Sequence, residues 1–273
     1  MAIETYQDPV AKLLTYGDCR QMDSRNWDNY PDIVGLTDAD IPELIRMATD
    51  REFQDIDSDR VEIWAPVHAW RALAQLNAEE AIAPLTALFE LHDDDWVMEE
   101  LPTVYRMFGP KAIPSLADYV TDVANPTWGR AIAGTALKEI GQAYPDHRDA
   151  CLAPLIQMLE AFEENPIELN DSIIMDLIDL QAVEAAPIIE KVYDAERVTE
   201  FGVGTWASVQ IDLGLKTEDD FSPDELKPKI PEHLDKIRKY LEIMEAQNRK
   251  PQGFGTPTSS SAKNKKKNKK KRK

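Results

Sequence analysis

Apolar residues recur along this chain at helical spacing. Ala69, Ala72, Leu73 and Leu76 fall at i, i+3, i+4 and i+7, the stripe of a helix with one buried face. Leu101, Val104, Tyr105 and Phe108 repeat the spacing, and Gly109-Pro110 follows as a stop signal. Ala133, Ala136, Leu137 and Ile140 repeat it again, with Gly141 read as another stop. A further stripe carries Ile173, Ile174, Leu177, Ile178 and Leu180. Strand-type alternation of β-branched residues is almost absent, so the chain reads as all-α.

Between these stripes a second pattern returns, a small or apolar pair followed by proline and more apolar residues. It stands as Ile41-Pro42-Glu43-Leu44, Ala81-Ile82-Ala83-Pro84-Leu85, Ala112-Ile113-Pro114-Ser115-Leu116, Cys151-Leu152-Ala153-Pro154-Leu155 and Ala185-Ala186-Pro187-Ile188-Ile189. Proline has no N–H and a φ fixed near the helical value, so it suits the first turn of a helix. Each proline is therefore expected to open a second helix, as in Pro84 to Glu90 and Pro154 to Phe162. The separations of 42, 30, 40 and 33 residues suit a repeat of two short helices. The expectation is an α-solenoid of about five helix pairs.

These motifs resemble the HEAT-like repeats of the phycobilisome-lyase type, an armadillo-type fold. There the first helix ends in Leu/Ile-Gly and the second begins near Ala-(Ile/Val)-Pro-x-Leu. The resemblance runs from about Asp40 to Arg197. It departs at Gln142 to Asp149, which reads as an insertion between helices, and at Gln181, where glycine is usual. The whole chain is also similar to bacterial HEAT-repeat proteins, some of which end in a SEC-C zinc motif. No CxC…CC or CxC…HC pattern stands here, so that metal site is not carried over. The resemblance implies a protein-binding scaffold, with a lyase-like subunit acting on bilin-carrying phycobiliproteins as a remoter possibility.

The flanks read as caps. Residues 1–39 form an N-terminal cap with one helix over Pro9 to Tyr16, and the repeats occupy 40–198. Residues 199–250 hold capping helices: Ser222-Pro223-Asp224-Glu225 has the form of a capping box. Pro231 to Gln247 carries an apolar stripe of Leu234, Ile237, Leu241 and Met244. A Pro/Gly/Ser-rich linker over 251–262 and a disordered basic tail over 263–273 complete the chain.

Charge divides the molecule. Of 273 residues, 31 are Lys or Arg and 50 are Asp or Glu, a net charge of −19. The tail supplies nine of the bases: Lys263, Lys265, Lys266, Lys267, Lys269, Lys270, Lys271, Arg272 and Lys273. The rest of the chain keeps 22 bases against 50 acids, a net charge of −28. Such a body is not a uniformly basic nucleic-acid-binding domain. The tail points to an anionic partner, such as RNA, a ribosome surface, anionic lipid or an acidic protein, or else to the chain's own acidic body. It holds no aromatic residue to stack on bases. His92-Asp93-Asp94-Asp95-Trp96 with Glu99 and Glu100 is the densest acidic cluster. Asp93, Asp94, Asp95, Glu99 and Glu100 are candidates for a docking rim that takes a basic protein partner. The bland alternative is a set of acids at a helix start, favoured by its dipole.

Catalytic and metal signatures are wanting. Asp55-Ile56-Asp57-Ser58-Asp59-Arg60 begins like a calcium loop, but Arg60 replaces the turn glycine and Pro66 the last acidic ligand, so Asp59 reads as a helix cap. No GxSxG, HExxH or phosphate loop occurs, and no cofactor is implied. Trp64 and Trp70 flank His68, as core or as a pocket lining. Cys19 and Cys151 suit buried thiols in a reducing compartment. Asn170-Asp171-Ser172 matches a glycosylation sequon by chance. The N-terminus lacks the apolar core of a secretory signal. Ala81 to Leu91, the longest apolar-rich stretch, is too short to span a bilayer. A cytoplasmic scaffold without catalytic activity is the expectation.

Overall fold

In the computed structural model, residues 5–22, 26–91, 94–229, 239–240 and 243 are described. Two compact units divide the chain, Met1–Lys229 and Ile230–Lys273. Of the second, only Lys239, Tyr240 and Ile243 are described, all helical. The helix read over Pro231 to Gln247, the linker and the lysine tail otherwise lie outside the described residues.

Among the described residues every regular element is helical and no strand occurs. Eleven α-helices follow one another: α1 (Ile41–Ala48), α2 (Ala65–Gln75), α3 (Ile82–Leu85), α4 (Asp95–Phe108), α5 (Ile113–Thr121), α6 (Thr127–Ala143), α7 (Arg148–Glu160), α8 (Ile167–Asp179), α9 (Ala186–Asp194), α10 (Glu200–Val203) and α11 (Trp206–Asp212). The long helices pack chiefly on neighbours one or two places away. The sequence α2, α4, α6 and α8 forms one run of contacts, while α7 touches α5 and α9, and α11 touches α9. Consecutive amphipathic helices with short connections allow little else, because each must bury its stripe on what lies next in the chain.

The residues of the four apolar stripes are almost all buried. Leu76 and Ile178 are half-buried at helix ends. The prolines Pro42, Pro114 and Pro187 sit in the first turns of α1, α5 and α9, as their missing N–H requires. Pro84 stands inside the short α3, which continues as a 3₁₀ turn over Thr86–Glu90.

Pro154 departs from its expectation, because α7 begins six residues earlier, at Arg148. That side chain explains the early start. Its Nε and one Nη donate to the carbonyls of Leu180 and Gln181, both at 2.9 Å, at the open end of α8, and the other Nη pairs with Glu184 at 2.7 Å. The supposed insertion is therefore mostly helix, split between the end of α6, a 3₁₀ turn and the start of α7. Gly141 is likewise no stop: α6 runs through it to Ala143, and a Cβ there would stand 2.8 Å from Leu180 Cδ2. Its service is close approach between helices. Gln181, by contrast, occupies glycine-like backbone with φ +52°. Its N–H bonds to Ile178 O, and Ala182 N–H reaches Leu177 O, which closes the end of α8.

The remaining corrections lie at the edges. The N-terminal helix is a 3₁₀ turn over Val10–Thr15, packed on α2 and on a second 3₁₀ turn, Val61–Trp64. Asp59 caps nothing: the turn after it is led by Arg60 without a side-chain cap. At Ser222 the capping contacts form, with its backbone N–H and Oγ bonded to Glu225 Oε2 at 2.8 and 2.7 Å, but they close a turn rather than a helix. Asn170 is fully buried, its Nδ2 donating to the carbonyls of Phe162 and Arg197, so the sequon is inaccessible in the fold.

Candidate functional site

Nearly every residue of helix α2 is buried. One side rests on α1 and α4, and the N-terminal turns cover the other. Its polar residues therefore had to find partners inside the protein. Arg71, fully buried, reaches across to Glu100 on α4. Its Nε donates to Oε2 at 2.8 Å and an Nη donates to Oε1, while Trp70 Nε1 donates to Oε2 at 3.2 Å. Two parallel N–H···O contacts make this the bidentate geometry that suits guanidinium to carboxylate. Burial by itself lowers the basicity of Arg71, but Glu100 outweighs it and holds the guanidinium above its ordinary pKa.

The other Nη of Arg71 donates to Tyr30 Oη at 3.3 Å, and Tyr30 Oη lies 2.8 Å from His68 Nδ1. His68 Nε2 is 2.9 Å from the Gly17 carbonyl, which can only accept. Nε2 therefore carries the proton, Nδ1 accepts from Tyr30, and Tyr30 accepts from Arg71. The chain of bonds has one direction and leaves His68 neutral. Burial pushes its pKa down to about 4, with Arg71 adding to the fall and the Gly17 carbonyl opposing it. Cys19 Sγ lies 3.7 Å from both ring nitrogens, and burial raises its thiol to about 12. An activated thiol–imidazole pair needs the opposite, a lowered thiol beside a protonated ring. This cluster therefore holds the N-terminal segment onto α2; it is not poised for nucleophilic chemistry.

In front of the cluster lies a cavity of about 220 Å³ between α1, α2 and α4. Its walls are Ala48, Phe53, Val67, Trp70, Leu88 and Val97, and its edge carries Asp50, Gln54 and Asp94. Trp70 links the two features, since its indole forms part of the wall while its N–H is held by Glu100. Asp50 accepts from Tyr6 Oη at 2.8 Å and from Glu52 N–H at 3.0 Å; Asp94 caps α4 through Trp96 N–H at 2.8 Å. A shallower hollow of about 480 Å³ adjoins it, lined by Gln54, Glu90, Leu91 and Asp94. Arg51 pairs with Glu90 across this edge.

The acidic candidates separate accordingly. Asp94, Asp95 and Glu99 are exposed on or before the first turns of α4, and Asp94 reaches the cavity edge. Asp93 lies outside the described residues. Glu100 does not belong to a rim: only 3% exposed, it is a core residue committed to Arg71. Its place was legible in retrospect, since Val97, Glu100, Leu101 and Val104 fall at i, i+3, i+4 and i+7. The lysine and arginine candidates of the tail all lie outside the described residues. Trp70 lines the cavity, whereas Trp64 packs edge-on to Trp96 with ring centres 5.1 Å apart. Among the described residues no three metal-ligating side chains converge, and no helix is long and apolar enough to cross a membrane.

No family model matches the chain, and neither a curated protein nor a solved structure matches it.

Proposed function

We propose that this protein is a cytoplasmic binding scaffold of HEAT-like helix pairs whose acidic surface takes a basic protein partner. The observation that carries this reading is the apolar cavity with Asp50 and Asp94 at its edge and, among the described residues, no basic side chain in its lining. An apolar centre ringed by one sign of charge is how interfaces combine affinity with selection of partner. The body's net charge of −28 extends the same field outward and speeds encounter with cations. The two buried free thiols, Cys19 and Cys151, agree with a reducing compartment.

The test is an affinity capture with the full chain at about 50 and about 500 mM salt, set against the chain lacking Lys263 to Lys273. Basic partners held by the body should be retained without the tail and weakened by salt, since exposed charges are screened at that ionic strength. Partners unchanged in high salt would sink the reading.

A second reading rests on the tail alone, nine cationic residues within eleven positions. In that reading the tail anchors the scaffold to an anionic assembly such as RNA or a ribosome surface. Loss of co-sedimentation with ribosomes on deleting it would support this; unchanged co-sedimentation would refute it.

A further inference from the structure

We infer that the cavity between α1, α2 and α4 is an anchor site for one bulky apolar side chain of a basic linear segment. The inference rests on the proposed basic partner and adds to it a place and a recognition chemistry. Size comes first. At about 220 Å³ the cavity falls below the range of about 300–1,000 Å³ usual for small-molecule sites. It suits a single Leu, Met or Phe side chain entering from a peptide.

Polarity comes second. Phe53, Val67, Trp70, Leu88 and Val97 offer the anchor an apolar wall, and burying such a side chain is the main source of affinity in short-motif recognition. Trp70 is fixed in advance by its bond to the buried Glu100, so little ordering remains to be done on binding.

Charge is third. The cavity and the adjoining hollow share Gln54, Leu91 and Asp94 at their common edge, and among the described residues the ionisable ones lining them are Asp50, Glu90 and Asp94. Arg51 offsets Glu90, so among the described lining residues Asp50 and Asp94 carry the remaining charge. Residues flanking the anchor would lie along the hollow, where arginine or lysine meets carboxylates and glutamate or aspartate is repelled.

The test uses the full chain and a panel of capped, fluorescein-labelled peptides of the form Arg-Arg-X-Arg-Arg, with X as Leu, Met, Phe or Ser. For each apolar X a further peptide carries citrulline in place of each arginine. Binding is read by fluorescence anisotropy at low salt. At least one apolar member should bind about tenfold or more tighter than the Ser peptide, and citrulline should abolish that binding. Ala48→Met, which fills the cavity, should erase the preference for an apolar X. Gln54→Arg, an exposed change that leaves the core intact, should weaken every arginine peptide. Circular dichroism melts establish that each variant is folded, and Gln54→Arg carries the test if Ala48→Met is not. Equal binding of the Leu, Met, Phe and Ser peptides overturns the anchor site while leaving the basic-partner reading in place. Anchor-dependent binding unaffected by citrulline, or no binding of any arginine peptide, overturns both.

Discussion

Arg71 on α2 and Glu100 on α4 meet in the protein core, guanidinium against carboxylate, with both side chains shielded from water. Removing either charge strands the other in a medium of low polarity. Glu100→Gln or Arg71→Met is therefore expected to cost about 3–5 kcal/mol by urea unfolding. The double change Arg71→Met/Glu100→Leu should cost less than the two singles combined, because no charge is left alone. Additive losses would show that the pair acts only through its separate packing contacts.

His68 gives stability a pH dependence of known sign. Its folded pKa of about 4 lies below the ordinary 6.5. Between those values the unfolded chain binds a proton that the folded chain refuses. The stabilisation is complete above pH 6.5 and is lost as pH falls towards 4, a change of about 3 kcal/mol. Urea midpoints measured from pH 7 to pH 4 check it, with His68→Gln as the variant in which this component is missing.

Asp176 on α8 works in the opposite direction. Burial first, countered in part by Lys138 and by the 3.4 Å contact from Thr135 Oγ1, raises its carboxyl from 3.8 to about 7. The folded state holds the proton that the unfolded state releases, so its stabilisation is present below pH 3.8 and is lost as pH rises towards 7. Asp176→Asn should raise the melting temperature at pH 8 by a few degrees and change it little at pH 4. A variant less stable than the parent at pH 8 would contradict this.

Gly129, in the first turn of α6, tests close packing against helix propensity. A Cβ there would lie 2.7 Å from the carbonyl oxygen of Phe89 and 2.7 Å from Tyr119 Oη. Alanine would favour the helix by about 1 kcal/mol, but the backbone oxygen has no side-chain freedom to withdraw. Gly129→Ala is expected to lower stability by about 1–3 kcal/mol, measured by chemical denaturation. A gain in stability would mean the α6 start shifts freely.

Glu196 closes α9 with φ +53° on an exposed position, and the bond from Arg197 N–H to Val192 O completes the turn. Left-handed backbone costs an L-residue about 1 kcal/mol, partly offset by the greater unfolded-state freedom of glycine. Glu196→Gly should therefore stabilise by about 0.5 kcal/mol, and Glu196→Val should destabilise. Thermal melts of the two variants with opposite shifts are the expected result.

The sequence by itself determined the helical class, the buried face of most helices and the helix starts at Pro42, Pro114 and Pro187. Those follow from periodicity and from the missing proline N–H, which are properties of a few adjacent residues. Gln181 in the glycine position was visible as an exception, although its left-handed backbone was not. Tertiary structure alone decided which polar residues are inside. Glu100 resembles its acidic neighbours in the chain; what buries it is Arg71, 29 residues earlier. His68 became neutral because Gly17 and Tyr30, both from the N-terminal segment, close over α2. The cavity edged by Asp50 and Asp94 exists only where three helices meet. Local pattern fixes how a helix presents its faces, and burial of a second face depends on which distant segment comes to cover it.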